Sequence, residues 1–108
     1  MNNIHKNQKI AGVFKTEEAA DNFVGRLKRL NNTPLSPSNC QVKKYKAIKD
    51  KKLISTTIKK NDYVVVIEGE KEDLDRIGEQ ISLNGGHYLS SEQMNSFELT
   101  DNCLLDLP

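Results

Sequence analysis

Tryptophan is absent, and aromatic residues make up only 6% of the 108 positions. The core must therefore be built mainly from Ile, Val and Leu. Long apolar runs are absent too: none approaches the ~18–20 residues that a membrane-crossing helix requires. Met1 to Lys9 are polar and hold no apolar stretch. A secretory signal is thus not expected, and the expected location is cytoplasmic. Cysteine is scarce, with Cys40 and Cys103 lying 63 positions apart and no CxxC or CxxH spacing. In a reducing compartment two free thiols are expected rather than a disulfide. A metal site wants three or four converging ligands, and His5, His87 and two scattered cysteines form no such set by spacing. Neither a Walker A nor a GxGxxG phosphate cradle is present. No cofactor is expected, and no catalytic residue set is visible.

The composition does contain a strong charge asymmetry. The chain is nearly neutral at +1. Residues 1–60 nevertheless hold fourteen bases and four acids, a net +10, and residues 61–108 hold two bases and eleven acids, a net −9. Such a division points to a basic surface for an anionic partner, an acidic surface for a basic one, or a surface that meets its own copy. The densest part is 43–60, with eight lysines and one acid.

The length suits a single domain with one small core. Residues 1–8 read as a flexible N-terminus, 9–90 as the α+β domain and 91–108 as an acidic-hydrophobic tail. Lys9 to Phe14 reads as a short buried strand. Thr16 suits an N-cap, since its hydroxyl can accept from the free amides of a first helical turn. Glu17, Glu18 and Asp21 suit the positive end of a helix, and Arg26, Lys28 and Arg29 the negative end. Ala20, Phe23, Val24, Leu27 and Leu30 recur at helical spacing, which predicts an amphipathic helix over 17–30. Pro34 disfavours helix at the residue before it, and 31–39 reads as a loop. Two β-like segments follow, at 40–48 and 53–59, separated by a turn at 49–52. Their low hydrophobicity argues for edge strands or a projecting hairpin, with lysine as a guard against edge pairing.

Tyr63 to Ile67 is the strongest strand. Four consecutive β-branched residues imply burial on both faces and a central place. A second helix is predicted over 71–84, with Leu74, Ile77 and Ile81 inward. Asn84-Gly85-Gly86 supplies a left-handed stop. His87-Tyr88-Leu89 reads as a last strand. At an offset of 54, Val13 aligns with Ile67, Ala20 with Leu74, Phe23 with Ile77 and Leu27 with Ile81. Two such units give β-α-β-β-α-β, the ferredoxin-like split βαβ sandwich, with a long basic hairpin or extra edge strand and a C-terminal tail.

The stretch IAGVFKTEEAADNFVGRLKRL resembles the opening of the small bacterial heat-induced or general-stress protein domain. YVVVIEGEKEDLDRIGEQISLNGGHYL is similar to that domain's second half. The likeness covers about 9–30 and 62–89 and departs at 31–60, which is longer and more basic. It implies a stress-associated or regulatory α+β module without a catalytic set, and it transfers no functional residue.

The expected function is a non-catalytic module acting through protein association, foremost as a homo-oligomer such as a homodimer, because a four-stranded sheet with helices on one side leaves the other side bare. The electrostatic contact candidates are Lys43, Lys44, Tyr45, Lys46, Lys49, Lys51 and Lys52. Phe97, Leu99, Leu104, Leu105 and Leu107 form a candidate partner-docking tail; the alternative is a tail folded back on its own sheet. The second functional reading is nucleic-acid binding by the lysine segment, with Tyr45 stacking on a base. The third is a dimeric α+β-barrel enzyme, on fold analogy only; separately, His5 or His87 with Cys40 or Cys103 are the candidate nucleophile–base couples, although the sequence gives no sign that they are close. No membrane partner is expected.

Overall fold

The computed structural model describes residues 8–30, 41–53, 56–95 and 103–107. Its order is β1 (Gln8–Phe14), α1 (Glu17–Leu30), β2 (Gln41–Ala47), β3 (Lys51–Lys52), β4 (Thr57–Ile58), β5 (Tyr63–Gly69), α2 (Lys71–Leu83), β6 (His87–Leu89), α3 (Ser91–Asn95) and β7 (Leu104–Leu107). The class is α+β, as expected. Five strands form one sheet in the order β6-β1-β5-β2-β7, and β3 and β4 form a separate two-stranded ribbon. Each described neighbouring pair is antiparallel.

The β-branched run places β5 at the centre of this sheet. Val65 and Ile67 are buried toward the helices, and Val64 and Val66 are buried on the reverse side. α1 and α2 cover the first side. Ala20, Phe23 and Leu27 from α1, with Leu74, Ile77 and Ile81 from α2, pack on Ile10, Phe14, Val65 and Ile67. The Thr16 hydroxyl accepts from the Ala19 amide at 3.1 Å, which satisfies one of the free donors at the start of α1. α2 ends as the sequence predicts. Gly85 sits at φ +81, Gly86 N–H donates to Ile81 O at 2.9 Å, and Gly85 N–H donates to Ser82 O at 3.1 Å. These two bonds form a Schellman stop.

The 54-residue repeat holds for the helices and fails for the strands. Val13 packs on the reverse side, whereas Ile67 faces the helices. Phe14 is the inward residue next to the first turn, so the step from the inward strand residue to the aligned helix residue is one longer in the second unit (Ile67 to Leu74) than in the first (Phe14 to Ala20). An offset that is right for a helix stripe can thus be wrong for a strand, because a one-residue slip reverses every strand side chain.

The reverse side is not bare. Leu53 and Ile58 of the β3–β4 ribbon, with Met94 of α3, bury Ala11, Val13, Ala47, Val64, Val66 and Leu89. The expectation of an uncovered face is therefore corrected. The projecting hairpin is corrected as well, since Ile58 is fully buried and Leu53 nearly so. Among the described residues of this region, regular pairing involves Lys51–Lys52 and Thr57–Ile58, so strand begins inside the predicted turn at 49–52. α3 was not predicted. Its signal is Ser90-x-x-Gln93, a capping box in which Gln93 Oε1 accepts from Ser90 N–H at 2.9 Å and Ser90 Oγ accepts from Gln93 N–H at 3.4 Å.

Candidate functional site

The lysine-rich segment folds into three different environments. β2 alternates its side chains between the two sheet faces. Lys44 points to the helix side, where its ammonium pairs with Asp21 and lies 3.9 Å from Glu17 Oε2. Lys46 shares that side, with its Nζ 5.8 Å from the centre of the Tyr63 ring. Both are half-buried. Lys43 and Tyr45 face the reverse side. Tyr45 packs against the second hydrophobic cluster. Base stacking by Tyr45 is thus at odds with its position, since the ring already serves the core.

Lys43, Lys49, Lys52, Lys59 and Lys60 form the third group. All five are exposed, and none makes an ion pair with a described residue. Two of them, Lys59 and Lys60, were not among the sequence candidates. Their signal was present in the charge run, but only the fold sets them beside the end of β2.

Two carboxylates hold this corner in shape. Asp62 is 5% exposed and accepts the Lys59 amide through Oδ2 at 2.9 Å. Lys15 Nζ, from the β1–α1 turn, reaches Asp62 Oδ1 at 3.3 Å. Asp50 Oδ1 accepts the Lys60 amide at 2.8 Å. Between them Asn61 takes φ 77, a left-handed turn that Asn tolerates better than most side chains. The Ala47 and Asn61 amides then bond across the corner to Asp62 O and Ala47 O. The local acids are therefore engaged by backbone donors, and the lysine ammonium groups face solvent.

The edge-guard reading of β2 does not hold. β2 lies between β5 and β7, and the strands at the edges are β6 and β7. The partner on its outer side is the chain's own C-terminus, with Lys44 opposite Leu107, Tyr45 opposite Asp106, Lys46 opposite Leu105 and Ala47 opposite Leu104. Of the proposed docking tail, Leu104 packs on the second cluster, Leu107 is half-buried and Leu105 is 51% exposed. This part of the tail folds back on its own sheet. Phe97 and Leu99 lie outside the described residues.

The candidate nucleophile–base couples are not assembled among the described residues. His5 and Cys40 lie outside them. His87 is on β6 and bonds to Thr56 Oγ1 at 3.3 Å. Cys103 is a free thiol whose carbonyl receives the Ile48 amide beside β7. β6 and β7 are opposite edges of the sheet, about 19 Å apart at four strand spacings. No group of three or more His, Cys, Asp or Glu residues able to hold a metal ion occurs among the described residues. No helix there is long and apolar enough to cross a membrane.

Among the described residues, Tyr88 has a resolved shift. Burial beneath α2, and secondarily the Asp75 carboxylate, push its phenol above the ordinary value near 10. The ring lies so close to Gly78 that an added Cβ there would come within 2.8 Å of Cε1. Tyr88 is therefore a packing residue of the helix side.

No family model, curated protein or solved structure matches this chain. The likeness to the stress-protein domain stands on the quoted residues alone.

Proposed function

We propose that this chain is a small non-catalytic regulatory module of ferredoxin-like plan that acts by association with an acidic protein surface, supplied in the first place by a second copy. The order β6-β1-β5-β2 within a β-α-β-β-α-β sequence supports the plan, with β7 as an added edge strand and the β3–β4 ribbon as an insertion. One observation carries the function: Lys49, Lys52, Lys59 and Lys60, with Lys43 further back along β2, are exposed and make no ion pair with a described residue, near a corner whose own acids accept backbone amides. A complementary stripe exists on the same molecule. Glu72, Asp75 and Glu79 are exposed at helical spacing along α2. A two-fold pair in which each corner meets the other copy's α2 satisfies both surfaces at once. Charge complementarity of this kind directs encounter and register more than it adds affinity.

Sedimentation across a salt series tests this reading. A dimer at low salt that dissociates as salt rises is the expected result. Lys→Gln replacement at 43, 49, 52, 59 and 60 should abolish it while leaving stability within about 1 kcal/mol, as for exposed surface changes. A monomer at every salt concentration would count against self-association. If that monomer bound single-stranded RNA or DNA in a salt-sensitive way, the corner would instead be a phosphate-contacting surface.

A further inference from the structure

Away from the lysine corner, the outer face of α1 carries a cleft of about 470 Å³. Its lining is Ala19, Asp21, Asn22, Gly25, Arg26 and Arg29 along α1, with Asn84 from the end of α2. Asn22, Gly25, Arg26 and Arg29 stand at steps of three, four and seven, so they share one stripe of the helix. Two features of this stripe are unexplained by folding. Arg26 and Arg29 are exposed and form no ion pair with a described residue. Gly25 lies near the middle of a helix, where glycine is less stable than alanine, yet a Cβ built there meets nothing within 4 Å. Gly12, Gly78 and Gly86 differ, because side chains of the core crowd each of them. Packing among the described residues therefore gives no reason for Gly25. A ligand lying against the helix backbone would give one.

We propose that this cleft binds an organic phosphate of mononucleotide size. The volume lies within the range of small-molecule sites. Two guanidinium groups one helical turn apart present forked donors that match phosphate oxygens. Asn22 and Asn84 add carboxamides. Asn84 Nδ2 is already bound to Gln80 O at 2.7 Å, which fixes the side chain and leaves its oxygen for a ligand donor such as a hydroxyl or ring N–H. The one acid of the lining, Asp21, is engaged by Lys44, so the cleft keeps a positive balance. The missing Cβ at Gly25 lets the ligand approach the helix backbone.

The test is a titration of the full chain with a nucleoside monophosphate, a nucleoside diphosphate and inorganic phosphate, followed by backbone amide resonances. Saturable shifts centred on Asn22, Gly25, Arg26, Arg29 and Asn84 are expected with the nucleotides. Inorganic phosphate should bind the same residues more weakly. Arg26→Gln and Arg29→Gln should each weaken binding about ten-fold, the loss of one good charge-assisted contact. Gly25→Ala separates function from folding: it should raise the thermal midpoint and still weaken nucleotide binding. Shifts that do not saturate, shifts confined to the lysine corner, or unchanged affinity in Gly25→Ala would each overturn the proposal. Because none of its residues belongs to the lysine corner, the result is independent of the dimerisation test.

Discussion

The two faces of the central sheet are closed by different means. On one side, two helices of 14 and 13 residues each lay a regular stripe on Ile10, Phe14, Val65 and Ile67. On the other side, a ribbon with two-residue strands and a five-residue helix supply Leu53, Ile58 and Met94. Both faces bury their valines and isoleucines equally well. The difference lies in how the cover is held. The helices carry their own hydrogen bonds and caps. The ribbon is fixed by a few turn contacts, chiefly those of Asp50 and Asp62. A face closed by such pieces should open at lower free energy than one closed by long helices.

The largest effect is expected at the centre. Ile67→Ala should cost about 3–4 kcal/mol in a denaturant melt, the usual penalty for emptying a packed core site. A loss under ~0.5 kcal/mol would place β5 at the surface and remove the basis of the comparison. Ile58→Ala probes the opposite cover and should cost about 2–3 kcal/mol. Amide exchange sharpens the contrast: in this variant, protection should fall in β3, β4 and α3 and persist in α1 and α2. Equal loss everywhere would mean that the two faces open as one unit.

Asp62→Ala comes next. It leaves the Lys59 amide without its acceptor in a part-buried turn, at a cost of about 1 kcal/mol. Lys15→Met removes only the exposed end of the same ion pair, since the Lys15 side chain is 74% exposed, and should stay within about 0.5 kcal/mol. Equal costs would show that the ion pair, and not the turn hydrogen bond, holds the ribbon. The smallest effect is a pH dependence of the helix side. The folded protein retains the Tyr88 proton at a pH where the unfolded chain, titrating near 10, has begun to lose it. That contribution is complete below the unfolded value and declines as pH rises through the higher folded one. Tyr88→Phe should flatten the alkaline loss of stability measured by urea melts above pH 10. An unchanged slope would assign that loss to other groups.

The helix side was legible in the sequence. Thr16, the acids after it, and the spacing of Ala20, Phe23 and Leu27 specify α1 within a single stretch. Leu74, Ile77, Ile81 and the Gly85 stop do the same for α2. The reverse side was not, because its residues carry no common period. Leu53, Ile58 and Met94 come from three short segments, and each alone reads as loop. The capping box at Ser90 was a local signal that periodicity does not detect.

The lysine segment shows the same limit. Its charge was plain from the composition, and its role as an edge guard was the simplest reading of a polar strand. Pairing of Lys44 with Leu107 joins residues 63 positions apart, and no local pattern encodes it. The same pairing places the chain's own C-terminus on β2 and leaves Leu105 half exposed.

By itself, the sequence determined what depends on neighbours a few residues away: both long helices, their ends, the central doubly buried strand and the α+β class. Tertiary structure alone decided which strands lie at the edge, what closes the second face, and which lysines meet an acid and which face solvent. The physical reason is range. Caps, helical stripes and β-branched runs act through bonds within a turn or a strand. Edges, covers and ion pairs form only when distant segments meet, and their side chains then take the face and the partner that the sheet register allows.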